Sequence, residues 1–153
     1  MAHDGRGIAS LDGKRVFIQG ALPGETVSFQ VNRRTRDYDE AEVVDVLTPA
    51  PERVVPRCAA YARCGGCSLQ HMDPAAQILA KQQVLLDNLR HIGQVSPERV
   101  LPPLTGPVWG YRRKARLGVR WVRAKDRVLV GFRERRSSFI AEAARCEVLD
   151  ETV

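Results

Sequence analysis

The sequence predicts a mainly β fold with one long α-helix: a small OB-like β-barrel followed by an α+β domain that contains an antiparallel meander. Three observations lead to this prediction. Short apolar runs separated by glycine and proline turns occupy the first fifty residues. Helical periodicity occurs once, at about residues 74–92, and apolar residues alternate with basic ones from residue 109 onward. The chain has 153 residues, 44% of them hydrophobic, which is enough to build a core.

Residues 1–48 are expected to form the barrel. Its strands are a compact apolar run over 15–19, an alternating segment over 26–32 and a β-rich return over 41–47. A charged hairpin tip at 33–39 joins the last two. Several strands this short, with turns every eight to twelve residues, are typical of a small barrel.

A linker and a second domain follow. Residues 49–57 contain three prolines and no periodic pattern, which predicts a stiff extended linker. Residues 58–153 form the second domain, which is expected to be incomplete at its carboxyl end. Its long helix begins with Asp73 as the N-cap and Pro74 at the first helical position, where proline loses no hydrogen bond.

The last part of the chain predicts a meander and a concentration of positive charge. Alternation over 109–121 places apolar side chains on one strand face and cations on the other, and further strands are expected over 128–132 and 139–141. The formal net charge of the chain is +6, yet residues 111–136 alone hold eleven Lys or Arg against two acids. A basic segment of this kind favours a polyanionic partner.

The cysteines form the most informative motif. Three of the four lie within ten residues as C-x5-C-x2-C, and the fourth is far downstream: Cys58, Cys64, Cys67 and Cys146. Two disulfides, a zinc site and a [4Fe-4S] cluster are all compatible with four cysteines. Structural zinc sites usually combine two close pairs, whereas one run plus a distant ligand suits a bulky cluster wrapped by a loop. Gly65 and Gly66 would let that loop fold tightly.

The sequence has no feature of a secreted or membrane protein. It contains no apolar run near the roughly 20 residues that cross a bilayer, and its start lacks the apolar core of a signal peptide. We therefore expect a cytoplasmic location, where thiols stay reduced and clustered cysteines more often bind metal. No membrane or DNA partner is expected, and we predict a monomer.

The glycine pattern of the first 27 residues resembles a TRAM domain. It consists of three segments that stand in order along the chain: Gly5-Arg6-Gly7, Gly13-Lys14-Arg15-Val16-Phe17-Ile18 and Gly20-Ala21-Leu22-Pro23-Gly24-Glu25-Thr26-Val27. This resemblance implies an OB-like barrel that holds RNA on a basic surface. Three arginines of the hairpin tip would then be available to contact phosphates, Arg33, Arg34 and Arg36.

The whole chain resembles the amino-terminal third of bacterial RNA uracil-C5 methyltransferases. The motifs are the TRAM pattern, Pro-Arg-Cys-x5-Cys-Gly-Gly-Cys at 56–67, Trp-Gly-Tyr-Arg-Arg-Lys-Ala-Arg-Leu at 109–117, Gly-Phe-Arg at 131–133, and Cys146. A TRAM domain together with cluster cysteines points to the RlmD (RumA) type, which modifies a uracil of 23S ribosomal RNA.

The resemblance implies site residues and cofactors. The four cysteines would ligate a [4Fe-4S] cluster that is structural or assists RNA recognition. Ribosomal RNA would be held by the basic strand face and the Gly-Phe-Arg segment, through Arg112, Lys114, Arg116, Arg120 and Arg133. S-adenosylmethionine would supply the methyl group.

The catalytic parts are expected to lie outside this chain. Methylation at uracil C5 needs a cysteine thiolate that adds to C6, and the resemblance assigns all four cysteines to the cluster. No strand, glycine-rich turn and helix follow one another as in a Rossmann-like domain. We therefore predict an inactive fragment without catalytic or cofactor-binding residues, whose S-adenosylmethionine site belongs to a missing carboxyl-terminal domain. The alternative is a stand-alone RNA-binding module with a zinc or cluster clamp.

Overall fold

The computed structural model describes residues 1–152, and its secondary structure is mainly β with one helix. The strands and the helix are β1 (Gly7–Leu11), β2 (Lys14–Gln19), β3 (Thr26–Arg34), β4 (Tyr38–Thr48), α1 (Pro74–His91), β5 (Gly118–Val122) and β6 (Arg127–Gly131). This confirms the predicted fold class. Contacts divide the chain into two compact units: unit 1 comprises Met1–Val54 and His71–Pro103, and unit 2 comprises Val55–Gln70 and Leu104–Val153.

Unit 1 is built on a four-stranded sheet in the order β1-β2-β4-β3. β1 and β2 form an antiparallel hairpin, and Asp12 and Gly13 at its tip both have positive φ, +50° and +78°. That conformation matches the right-handed twist of the flanking strands. β2 then pairs in parallel with β4, and β4 pairs antiparallel with β3. The sheet formed by the described residues is open, so the predicted closure into a barrel is not observed.

The core of unit 1 lies on one face of this sheet. Val16 and Ile18 on β2 are 1% and 3% exposed, and Ala41, which pairs with Ile18 across the parallel ladder, is fully buried. The alternating residues of β3 pack against them, including Phe29 and Val31. In β3, the period of two that predicted the strand therefore also selected the side chains that pack against the core.

The hairpin between β3 and β4 has a shorter tip than the sequence predicted. Arg33 and Arg34 belong to β3, where they lie opposite Glu40 and Asp39 of β4. Opposite charges on facing strands support pairing, and they extend the ladder into residues that the charge pattern alone had assigned to the turn. Only residues 35–37 remain between the strands.

A buried ion pair joins the turn after β2 to the segment after β4. The Glu25 side chain is fully buried and accepts hydrogen bonds from the N–H groups of Leu22, at 2.8 Å, and Ala50, at 3.2 Å. Arg53 donates to both carboxylate oxygens and also to the Gly20 carbonyl, at 2.7 Å. The Glu25 carboxylate thus links the turn after β2 to the segment that follows β4.

Helix α1 begins and ends almost where the sequence predicted. The carboxylate of Asp73 accepts from the N–H groups of Ala75 and Ala76, and Pro74 occupies the first turn. No residue of the helix is fully buried. Its first turns pack on the cluster formed by Leu22, Ala50 and Met72. These contacts are within unit 1, whereas the sequence analysis grouped the helix with the cysteines.

Unit 2 contains the hairpin of β5 and β6. Strand β5 is shorter than the predicted strand over 109–121, because residues 112–117 make only a single bridge, between Arg112 and Leu149. The predicted third strand of the meander is likewise reduced to one bridge, between Arg133 and Ile140.

The hairpin also differs from the prediction in the exposure of its apolar face. Val119 lies opposite Val130 and Trp121 opposite Val128, and all four are more than half exposed. On the other face, the Arg120 guanidinium lies 5.7 Å from the centre of the Phe139 ring. The prediction that the apolar face of β5 packs is therefore wrong, whereas Arg120 on the other face is exposed.

We predict that Glu25→Gln destabilises the chain by about 3 kcal/mol, the lower end of the cost of breaking a buried ion pair, because Arg53 is still 22% exposed. Burial by itself raises the pKa of Glu25, but hydrogen bonds from Arg53, Leu22 and Ala50 outweigh it and hold the pKa below its ordinary value of 4.5. The carboxylate therefore contributes stability above about pH 4.5, and this is lost as pH falls through the lowered pKa.

Urea unfolding at pH 7 and at several values below pH 4.5 would measure both effects. The exposed Glu98→Gln is the matched control and should leave the free energy of unfolding within about 0.5 kcal/mol of the wild type. Equal stability of both variants at pH 7 would contradict the structural role of Glu25.

Candidate metal centre and basic surface

The cysteine loop, residues 58–67, is a succession of tight turns. The N–H of Tyr61 donates to the carbonyl of Cys58 at 3.0 Å, and the N–H of Cys64 donates to the carbonyl of Ala60 at 2.8 Å. Ala60 and Tyr61 are buried, at 6% and 8% exposure. The loop is therefore held by its own backbone and by a small apolar anchor.

The cysteine loop is attached to the segment that follows β6. The N–H of Gly65 donates to the carbonyl of Arg133 at 2.9 Å, and the N–H of Arg135 donates to the carbonyl of Arg63 at 2.8 Å. These two hydrogen bonds place a loop from early in the sequence beside residues about 70 positions later. The basic segment thus supports the loop as well as contributing charge.

The Arg135 side chain adds three contacts to the same loop. Its Nε donates to the Cys64 carbonyl at 3.0 Å and its Nη2 donates to the Cys67 carbonyl at 2.6 Å. Its guanidinium lies 4.6 Å from the centre of the Tyr61 ring, within the range of a cation–π contact. One arginine therefore contacts two of the predicted ligand residues and the buried ring beneath them.

Gly65 and Gly66 allow the loop to approach these neighbours closely. A Cβ at Gly65 would lie 3.0 Å from the Arg133 carbonyl oxygen. A Cβ at Gly66 would lie 3.1 Å from the Phe132 ring and 3.4 Å from the Cys64 Sγ. Neither glycine has a positive φ, so close approach and not backbone conformation is what requires glycine here.

An ion pair between neighbouring residues holds the segment around Cys146 beside the start of the cysteine loop. Arg57, directly before Cys58, contacts the carboxylate of Glu147, directly after Cys146, with 3.0 Å between Nε and Oε2. The Arg57 guanidinium also lies 5.3 Å from the Trp109 ring centre. Opposite charges beside the two cysteines thus connect the first and last of the predicted ligands.

Three of the predicted ligands line a single cavity of about 540 Å³ in unit 2: Cys58, Cys64 and Cys146. Leu117 and Phe132 supply apolar parts of its wall. All four cysteines carry free thiols. Among residues 1–152, no three Cys, His, Asp or Glu side chains converge closely enough to hold a single metal ion. The thiols of Cys58, Cys64 and Cys146 therefore share one cavity.

The thiols influence one another electrostatically. Burial raises the pKa of the Cys64 thiol, the Gly66 N–H at 3.4 Å from its Sγ lowers it, and the neighbouring Cys67, Cys58 and Cys146 raise it further. Losing several of these protons together costs free energy unless a positive charge compensates it. A bound cation or cationic cluster would provide that compensation.

The predicted RNA-contacting cations are distributed over both units. Unit 1 carries Arg34 at the end of β3 and Arg36 in the hairpin tip, both exposed. In unit 2, Arg112 is half-buried. The other predicted cations of this unit are exposed: Lys114, Arg116, Arg120 and Arg133. Of the cations in unit 2, only Arg120 lies within a strand, so they do not form the continuous strand face that the alternation predicted.

Some cations of the basic segment are engaged by acids far along the chain. Glu142 pairs with both Lys125 and Arg127. Asp150 pairs with Arg113, at 3.3 Å. The count of charges along the sequence does not distinguish these cations from the predicted RNA contacts. Only the folded chain shows which cations form ion pairs.

Sequence reasoning also missed Arg57 and Arg135 as residues that organise the cysteine loop. The position of Arg57 directly before Cys58 was a weak signal. Nothing in the sequence distinguished Arg135 from the arginines beside it, because its role depends on which carbonyls the fold brings within reach.

The described part of the chain contains no nucleotide-binding βαβ unit. Helix α1 lies between β4 of the first sheet and β5 of the second, so it does not connect parallel strands of one sheet. No helix within residues 1–152 has the length and hydrophobicity needed to cross a membrane.

Comparison with known proteins places these features in a family context. A family model described as a TRAM domain matches residues 1–44. The chain is 58% identical over 154 aligned residues to the 23S rRNA (uracil(1939)-C(5))-methyltransferase RlmD of Nitrosococcus oceani, and 55% identical over 153 to that of Alkalilimnicola ehrlichii. The RlmD of Alcanivorax borkumensis is 55% identical over 149 residues.

The matches cover 97–100% of this chain but only 34% of each of these three relatives. The chain thus spans about a third of the length of the curated relatives that it matches. It contains a TRAM domain and is related, over its whole length, to the amino-terminal part of the 23S rRNA uracil-C5 methyltransferases named RlmD.

Proposed function

We propose that this chain is the RNA-binding and [4Fe-4S]-binding amino-terminal part of an S-adenosylmethionine-dependent 23S rRNA uracil-C5 methyltransferase. The observation that carries the proposal is the 58% identity along the entire chain to a protein named for that activity. S-adenosylmethionine would bind to a part of the enzyme outside this chain. We further propose a monomer that acts in the cytoplasm on ribosomal RNA, with no membrane or DNA partner.

The geometry of the thiols favours a cluster over a single zinc ion. A tetrahedral zinc site requires four ligands about 2.3 Å from one point, whereas three of the thiols, those of Cys58, Cys64 and Cys146, line a cavity of about 540 Å³. A cubane needs such a space, with thiolates at its corners and amide N–H groups directed at sulfur. The Gly66 N–H near the Cys64 Sγ is a group of this kind.

Four residues would hold the cluster: Cys58, Cys64, Cys67 and Cys146. The cluster would act as an inorganic cross-link within unit 2, joining the cysteine loop to the segment around Cys146. The chain's own contribution is to bring the two segments together, through the Arg57–Glu147 ion pair and the hydrogen bonds to residues 133–135. Because a metal group binds the folded state, it would also stabilise this arrangement.

The exposed cations provide the electrostatic part of RNA binding. Lys114 and Arg116 lie on an extended segment without strand partners, and both are exposed. Arg34 and Arg36 offer similar charges on unit 1. Such side chains neutralise phosphates and position an RNA without reading its sequence. Base recognition would then depend on other groups of the complete enzyme.

Iron and sulfide analysis after anaerobic purification tests the metal proposal. We expect about four irons and four sulfides per chain with a broad visible absorption band, and we expect Cys146→Ser to lose most of both. Ala124→Ser is the matched control, since it adds a hydroxyl at an exposed position that does not line the cavity and leaves all four thiols intact. One zinc per chain without sulfide would contradict the cluster and favour the stand-alone RNA-binding module with a zinc clamp.

RNA binding is tested by removing the exposed cations. We expect Lys114→Ala/Arg116→Ala to weaken binding of a single-stranded RNA oligonucleotide and to reduce the slope of log affinity against log salt by about 0.7 for each phosphate that the variant no longer neutralises. Lys81→Ala, an exposed cation on α1, should leave both unchanged. Unchanged affinity of the double variant at low salt would remove residues 114 and 116 from the RNA surface.

A further inference from the structure

Arg135 contacts the cysteine loop through its backbone, its guanidinium donors and the face of its guanidinium. Its backbone N–H donates to the carbonyl of Arg63, and its side chain donates to the carbonyls of Cys64 and Cys67 at 3.0 and 2.6 Å. Its guanidinium also lies over the buried ring of Tyr61. All of these contacts are within unit 2.

The guanidinium suits this position because its donors are fixed in a planar fork. Nε and Nη2 point to two carbonyls three residues apart, and the flat cation rests on an aromatic face. Lysine has a single flexible ammonium and cannot reproduce this arrangement, although it carries the same charge. Hydrogen bonds to a charged donor are also stronger than those between neutral groups.

The two carbonyls belong to predicted ligand residues. Fixing the peptide planes that follow Cys64 and Cys67 restricts the direction in which each Cα–Cβ bond leaves the backbone. The Tyr61 hydroxyl reinforces the same loop by donating to the Ser68 carbonyl at 2.6 Å. The loop therefore has a defined shape that comes from protein contacts, before any metal group is considered.

We propose that Arg135 is a positioning residue of the metal centre, which sets the shape of the cysteine loop through the Cys64 and Cys67 carbonyls. This inference rests on the proposed cluster function. It assigns one effect to Arg135: the planar fork of its guanidinium determines how rigid the cysteine loop is.

The first test measures hydrogen exchange in the metal-free chain. Arg135→Lys and Arg135→Gln should each increase the exchange rate in the peptide covering residues 58–67 by roughly tenfold or more, as expected for the loss of charge-assisted hydrogen bonds. Arg123→Gln, an exposed arginine on the β5–β6 connection, is the matched control with the same change of charge and should leave this rate unchanged.

The exchange of β5 and β6 separates a local effect from unfolding of unit 2. Under the proposal, peptides covering residues 118–131 keep their wild-type rates in both Arg135 variants. If those peptides accelerate as much as the cysteine loop, the substitutions destabilise the whole unit and the positioning role is overturned. It is also overturned if the loop exchanges at the wild-type rate in both variants.

The second test uses the reconstituted chain under anaerobic conditions. Both variants should lose iron to a chelator several-fold faster than the wild type, because the loop opens more often. Iron release at the wild-type rate in both variants would overturn the role of Arg135.

The two proposals fail in different ways. If the wild-type chain takes up no iron and sulfide, the proposed function is wrong, and the exchange experiment shows only how Arg135 shapes the loop. If the wild-type chain holds the cluster and the Arg135 variants behave as the wild type does, the function stands and the inference about Arg135 is wrong.

Discussion

The attachment of the cysteine loop to the segment after β6 is the constraint on which the candidate metal centre depends. Two backbone hydrogen bonds, Gly65 to Arg133 and Arg135 to Arg63, hold segments that are about 70 residues apart in sequence. Close packing at Gly65 and Gly66 permits those bonds, and the Arg135 side chain reinforces them. The Arg57–Glu147 pair then connects the position beside Cys58 with the position beside Cys146. Thiols that are distant in sequence come to line one cavity for these reasons.

Unit 1 depends on a different kind of constraint. Its sheet has a small apolar core around Val16, Ile18 and Ala41, while the buried carboxylate of Glu25 fixes the turn after β2 to the chain beyond β4. A buried carboxylate is tolerated only when its oxygens are fully hydrogen-bonded, and here two backbone N–H groups and Arg53 satisfy them. At the other end of the same two strands, the exposed Arg34 and Arg36 lie on the paired hairpin of β3 and β4.

Local sequence patterns predicted which helix and strands this fold contains better than they predicted how long each one is. Asp73 and Pro74 marked the start of α1, a compact apolar run marked β2 and alternation marked β3, because capping and side-chain patterns act over a few residues. The strand predicted over 109–121 is shorter, since a strand persists only where a partner supplies hydrogen bonds, and β6 supplies them only to residues 118–122. Closure of the first sheet likewise depended on pairing between strands distant in sequence, which periodicity does not report.

The sequence by itself determined the chemical inventory: four cysteines in a three-plus-one arrangement, two glycines beside them, and a basic segment with few acids. Those features follow from residue type and spacing, and they also carried the resemblance to the methyltransferase family. Only the tertiary structure decided which cations pair with Glu142 and Asp150, and that Arg135 contacts the Cys64 and Cys67 carbonyls. The physical reason is that long-range hydrogen bonds and ion pairs depend on distances in the folded chain, which spacing along the sequence does not fix.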